Sequence, residues 1–327
     1  MKKNIHLCIL KIHVYLQHSI IIMKHIAYFL LSFVTLAIPL KAQEINYSPA
    51  YFGPNANPVA EFPGAIIPEY TTLEVSGNYF FGFGDKAANP EVKGEIPLLP
   101  KRVSLKIWMA LPEKFWVTQK IFEERQMGNK RIGHSNGGDV YVQTRISILL
   151  ERKYLPAIVI NATLKTASGE KFIDKRYFNT PGYYFDAEIG KSFRFKNKIL
   201  NDIRIATDLG FFCWEMTGSR QNDALMYGAK IVFSNKILEW DNTIAGYKGR
   251  LKNGDNPLVF STKLTGKINI VSVYFQYKYG IRDWHYHQLQ LGVAVQIPKL
   301  TPKYKNFPKT PAPPAAPAGD EAINNVQ

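Results

Sequence analysis

The chain has 327 residues, 41 Lys and Arg against 26 Asp and Glu, and a formal charge of +15, so it can bury a large core or close a sizeable barrel as one domain. Residues 1–42 hold five lysines and no acid, which leaves +10 for the rest; that excess is scattered and forms no basic run, which argues against nucleic acid and suits anionic lipid head groups. Cys8 and Cys213 make no disulfide framework, and Cys213 sits on the apolar parity of its segment as a small hydrophobe.

From Met23 the order is Lys24, His25, an apolar run from Ile26 to Leu40, then Lys41, Ala42 and Gln43. A basic start, a short apolar run and a small residue at the cut make a signal peptide over 23–42, with cleavage expected after Ala42. The run is too short for a bilayer span, which takes about 20 apolar residues. The Ala42-Gln43 pair resembles the end of Bacteroidota secretory signals. Residues 1–22 are patchily apolar, broken by Lys11, His13 and His18, and are read as an over-long start before the true initiator Met23.

Residues 43–70 form an irregular, Pro- and Gly-containing segment, periplasmic or plugging. Beyond it the pattern alternates with period two and shows almost no helical repeat. Twelve strands are expected, with ten or fourteen as alternatives, over 71–84, 102–110, 114–120, 139–150, 156–166, 182–194, 200–214, 223–234, 237–248, 257–266, 268–281 and 287–297. The last sets Leu289, Leu291, Val293, Val295 and Ile297 on one face against Gln288, Gln290, Gly292, Ala294 and Gln296 on the other. Lengths near ten residues match a tilted bilayer crossing.

A soluble sandwich could alternate in the same way, but the connections are sorted by length. Short ones (111–113, 151–155, 195–199, 235–236, 266–267) alternate with long ones (85–101, 121–138, 167–181, 215–222, 247–256, 282–286). Short turns on one side and long loops on the other mark an outer-membrane β-barrel, with short turns and both mature termini in the periplasm. Closure follows from backbone chemistry, because in hydrocarbon every N–H and C=O must be paired within the protein. Aromatics beside loops (Tyr183, Tyr184 and Phe185; Phe211, Phe212 and Trp214; Trp284 and Tyr286) are expected in the interfacial girdles.

Gln290, Gly292, Val295 and Ile297 resemble the terminal-strand signal read by the barrel assembly machinery, which makes that machinery an expected partner, together with outer-membrane lipid and lipopolysaccharide. Residues 298–327, rich in Pro and Ala, are expected to form an extended periplasmic tail. Gly138-Asp139-Val140, Leu155-Pro156-Ala157 and Thr166-Ala167-Ser168-Gly169 resemble the Gly-Asp, Pro-Ala and Pro-Thr-Gly pattern of porin-like outer-membrane proteins of the phenol-degradation-pathway type. The resemblance covers roughly residues 137–195 and implies a passive barrel for small solutes, aromatic or hydrophobic ones included, without a cofactor and without an assigned binding residue.

The inward parity collects Arg145, Lys165, Asp186, Glu188, Arg204, Asp208, Lys230, Glu239, Asp241, Lys263 and Lys278, expected to line the lumen mostly as paired charges. His134-Ser135-Asn136 resembles the active-site segment of outer-membrane phospholipase A, the basis of an alternative as a lipid-active hydrolase. Adjacent residues of an extended chain point to opposite faces, however, which separates His134 from Ser135. A structural or partner-binding barrel is the third reading. His285 and His287 share a side at two-residue spacing but are too few for a metal site, so an interfacial role is expected and no metal.

Overall fold

The structure is a computed structural model that describes residues 48–196, 199–216 and 220–303; the expected signal region and most of the Pro/Ala-rich tail lie outside the described residues. Its strands are β1 (Thr71–Gly82), β2 (Asp85–Leu99), β3 (Val103–Ala110), β4 (Glu113–Val117), β5 (Ile132–Ser135), β6 (Val140–Leu149), β7 (Ala157–Lys165), β8 (Gly182–Arg194), β9 (Asp202–Met216), β10 (Arg220–Ser234), β11 (Leu238–Gly249), β12 (Leu258–Ile268), β13 (Val271–Arg282) and β14 (His287–Ile297). One short helix, α1 (Gln119–Glu124), lies between β4 and β5.

Twelve of these strands close an antiparallel barrel, β1 pairing with β14 on one side and β2 on the other, and β3 passing directly to β6. β4 and β5 stand outside the ring as a flap on the upper end of β2. Strand parity sorts the side chains as the bilayer argument requires. Leu73, Val75, Ile146, Leu164, Leu209, Leu264, Leu291 and Val293 face outward and exposed, while Ser76, Asn78, Gln143, Asn161, Gln288 and Gln290 face inward and are buried. An exposed apolar surface that encircles the molecule is a liability in water and a solvation match in hydrocarbon.

The count of twelve came from two errors that cancel. Residues 85–101, expected as a long loop, are the wall strand β2 with the turn that follows it. Pro90, Gly94 and Pro97 hide its alternation, although Glu91, Lys93 and Glu95 point inward and Ile96 and Leu98 outward. Pro90 is tolerated because it sits where β2 changes partner: Glu91 onward pairs with β3, and Asp85–Ala88 pairs with β4. The left-handed φ of Phe83 (46°) and Gly84 (82°) lets β1 reverse directly into β2. Conversely, 102–110 and 114–120 are not two crossings joined by a turn. β3 and β4 both run antiparallel to β2, one climbing strand kinked at Leu111-Pro112 whose upper part overshoots the rim.

With β2 restored, the longest connections still share one end, but the links after β1 (83–84) and β9 (217–219) at that end are short, which corrects the expected long loops 85–101 and 215–222. The two longest, 111–139 and 166–181, share an end with the β11–β12 and β13–β14 loops, while the links after β2, β6, β8, β10 and β12 share the other. Thr71 pairs with Ile297 at the short-turn end.

Residues 48–70 thread the lumen from one end to the other. The Ala50 amide donates to Gly254 O at 3.2 Å among the long loops, and the Lys101 amide donates to Pro68 O at 3.4 Å beside the β2–β3 turn. The first described residues therefore lie at the end opposite Ile297, and the expected mature terminus at Gln43 lies outside the described residues. Buried Phe62, Ala65 and Ile67 pack along the barrel wall, and Phe52 and Ala56 pack under loop 166–181 on Phe178, so this segment is a plug in the geometric sense.

Candidate functional site

The lumen is layered, and each layer follows from which residues fall on the inward parity. Uppermost is a cap built by the long loops over the start of the plug. Asp85 and Arg176 have no exposed surface and Arg125 almost none. Asp85 Oδ2 accepts from Arg125 Nη1 (2.6 Å) and Arg176 Nη1 (2.8 Å), and Arg176 Nε donates to Glu113 Oε1 at 2.7 Å. Asn55 of the plug donates to Glu113 Oε2 at 2.6 Å, and the Tyr286 hydroxyl lies 2.7 Å from Asp85 Oδ2 and 3.0 Å from Phe52 O. Burial pushes the Glu113 carboxyl up from its ordinary value, with Arg176 pulling the other way. Phe52 stacks on Phe178 with ring centroids 4.1 Å apart.

Below the cap lies an aromatic layer. Tyr141, Tyr184, Phe212, Trp214 and Tyr247 are buried together with Trp108 beside them, and Phe212 meets Tyr184 and Tyr247 edge to face. The expected girdle residues thus divide by parity: Tyr183, Phe185 and Phe211 face outward, whereas Tyr184, Phe212 and Trp214 turn into the lumen and Trp284 and Tyr286 pack under the loops. This corrects the girdle assignment for five of those eight residues, since consecutive strand residues cannot share a face. Only a narrow space of about 70 Å³ remains, bordered by Trp108, Tyr141, Tyr184 and Phe212.

In the lower half the plug leans on one wall. The Ala65 amide donates to Glu188 Oε2 at 2.5 Å, Arg204 Nε donates to Gly64 O at 2.7 Å, and Phe62 lies so close to Gly228 that a Cβ there would come 2.4 Å from its Cε1. Arg145 stands behind this contact, fully buried, donating to Glu95 (3.0 Å), Glu188 (3.2 Å) and Asn161 (3.2 Å), while Asn161 donates to Asp186 at 2.5 Å. On the opposite side the lumen opens into a cavity of about 480 Å³ bordered by Glu61, Lys93, Lys106, Lys230, Lys263 and Lys278.

The eleven candidate lumen residues all stand on inward-facing positions. Arg145, Asp186, Glu188, Arg204 and Asp208 belong to the wall behind the plug; Lys230, Glu239, Lys263 and Lys278 border the cavity, as does Asp241. Lys165 is higher up, paired with Asp139 at 2.7 Å. Lys93, Glu95 and Lys106 are lumen residues outside the sequence-expected set: Pro90, Gly94 and Pro97 obscure the alternation of β2, which carries the first two. Glu61 is outside that set too, in a segment with no periodicity. The alternating Glu91, Lys93 and Glu95 were the available signal.

The remaining candidates separate. His134 is exposed while Ser135 is fully buried on the other face of β5, so the pair does not assemble a nucleophile and base. His287 stacks on Phe81 at 4.9 Å and its Nδ1 lies 2.8 Å from the Tyr277 hydroxyl, on the outward face near the rim. Among the described residues no three His, Cys, Asp or Glu side chains gather as a metal site. Cys213 is on the outward parity but covered, with Gln221 Nε2 donating to its Sγ at 2.7 Å. In β14, Gln290 and Gly292 face inward and Val295 and Ile297 outward; a Cβ on Gly292 would meet the Tyr274 ring at 2.3 Å.

No family model matches the sequence, and no curated protein matches it either. Among solved structures the chain is similar to an outer-membrane channel from Pseudomonas putida F1, with 8% identity, a TM-score of 0.53, and coverage of 73% of this chain and 100% of that one. It also matches the NanC porin at 10% identity and a TM-score of 0.46, covering 69% of this chain and 100% of that one. At these identities what is shared is the architecture, and the fold is that of outer-membrane β-barrels.

Proposed function

We propose that this protein is a porin-like channel of the outer membrane that passes small solutes, aromatic or hydrophobic ones included, with its short-turn end in the periplasm. The observation that carries the reading is a closed barrel, apolar outside, whose polar lumen holds a cavity of about 480 Å³ leading up to a narrow aromatic layer. The membrane argument supports the location: only a closed sheet satisfies every backbone group in hydrocarbon, and the apolar outward band needs lipid. Bilayer lipid and lipopolysaccharide are then its surroundings, and assembly runs through the barrel assembly machinery by way of Gln290, Gly292, Val295 and Ile297. The plug narrows the path, so the channel is one of low conductance. Planar-bilayer recording of the refolded full-length protein tests the reading. A small, steady conductance is expected; a barrel that shifts on SDS gels when heated, yet passes neither ions nor small solutes, would end it.

A further inference from the structure

The plug offers one carboxylate, Glu61, to the cavity, and the wall lines it with the ammonium groups of Lys93, Lys106, Lys230, Lys263 and Lys278 beside the carboxylates of Glu74, Glu95, Glu239 and Asp241. Glu61 Oε2 lies 3.3 Å from Lys93 Nζ, which Glu91 (2.8 Å) and Glu74 (3.5 Å) also hold, and Oε1 is in contact with Lys278 Nζ. The Glu61 side chain is nevertheless 37% exposed to the cavity. Lys263 and Lys106 border the same space, and among the described residues neither has a carboxylate within 4.0 Å. Lys263 Nζ sits 3.7 Å over the Tyr274 ring and Lys106 Nζ 5.1 Å over Trp108, contacts that offset only part of the cost of an unpaired ammonium group.

The stretch bearing Glu61 is lightly held. Among the described residues, 58–63 have no regular structure and no backbone hydrogen bonds to the barrel; the plug's backbone anchors lie above, at Ala50, Gly53 and Asn57, and below, at Gly64, Ala65 and Pro68. Glu61 is thus fixed by side-chain contacts: its ion pairs, a hydrogen bond from Gln276 at 3.4 Å, and the packing of Val59, Ala60 and Phe62 against the wall.

We propose that Lys93, Lys263 and Lys278, with Lys106 beside them, form a binding site for small carboxylates, and that Glu61 occupies it as an internal competitor. An incoming carboxylate takes Lys278 from Glu61, shares Lys93 with Glu91 and Glu74, and gains Lys263 and Lys106, which Glu61 leaves without a carboxylate. The cavity is within the range of small-ligand sites. This inference rests on the channel reading only in taking the ligand to be a solute that reaches the lumen.

Titration calorimetry of the refolded full-length protein in micelles tests it, with sodium benzoate as probe and benzyl alcohol as the uncharged control. Glu61→Gln is expected to tighten benzoate binding about tenfold or more, the size of one charge-assisted contact. Lys263→Gln and Lys106→Gln are each expected to weaken it by about the same factor, in the wild-type and the Glu61→Gln backgrounds alike. Benzyl alcohol should respond to none of the three, and the heat-dependent gel shift reports that each variant has closed. Benzoate affinity indifferent to Glu61→Gln and Lys263→Gln, or equal to that of benzyl alcohol, overturns the site. These affinity shifts in a barrel that conducts nothing would keep the site and remove the channel, whereas a conducting barrel without them would remove the site alone.

Discussion

The two ends of the lumen solve the same problem in opposite ways. At the long-loop end, charge is buried and dry: Asp85, Glu113 and Arg176 are almost wholly enclosed and tie the loops to the start of the plug. On the cavity side of the short-turn end, charge is solvated: Glu61, Lys93 and Lys278 face the open space, and the stretch that carries Glu61 has no backbone bonds to the wall. A buried ion network costs several kcal/mol when one member is lost, because its partners are then stranded, whereas solvated pairs are replaced by water and salt. The upper end therefore behaves as a fixed cap and the lower end as an adjustable vestibule.

The largest expected effect is on the cap. Arg176→Ala strands Glu113, leaves Asp85 with Arg125 as its remaining guanidinium partner, and should cost about 3–5 kcal/mol. It should also release loops 111–139 and 166–181 to protease while the barrel itself still shows its heat-dependent gel shift. If those loops stay protected, the cap is held by something other than this network.

Next in size is the parity contrast within the aromatic layer. Phe212→Ala should destabilise by about 3–5 kcal/mol in urea unfolding from lipid vesicles, as a large core truncation does. Phe211→Ala, 42% exposed on the outward face, should cost below about 1 kcal/mol, because lipid refills the space. Equal losses at the two positions would mean that the faces are misassigned.

Gly228→Leu tests the seat of the plug. A side chain there collides with Phe62, and overpacking of this kind costs about 1–3 kcal/mol. Because the plug can yield where the wall cannot, the variant should conduct more than wild type in planar bilayers while keeping most of its stability. The smallest effect is expected at the outermost part of the vestibule. The Lys267–Glu239 pair is 41% and 32% exposed, so Lys267→Ala should change unfolding stability by less than about 1 kcal/mol, and by less still at high salt.

Much of the barrel was legible from the sequence because period two survives whenever one face meets lipid and the other polar groups. β14 alternates, and the inward set Gln288, Gln290 and Gly292 and the outward set Leu289, Leu291 and Val293 expected from the sequence are those of the structure. β2 was not legible, because Pro90, Gly94 and Pro97 erase the local pattern and only a change of pairing partner makes Pro90 acceptable. The candidate site was half legible. Lys230, Lys263 and Lys278 follow from parity, whereas Glu61 stands in a segment whose conformation no local rule dictates.

The sequence by itself determined a closed, antiparallel sheet with an apolar exterior, because hydrophobic alternation and the need to pair every backbone group leave few other outcomes. Tertiary structure alone decided that residues 48–70 run through the lumen, that the plug starts at the long-loop end, and that Glu61 meets Lys93 and Lys278. Those are contacts between residues as far apart in the chain as Glu61 and Lys278, and they depend on how the closed wall shapes the space inside it.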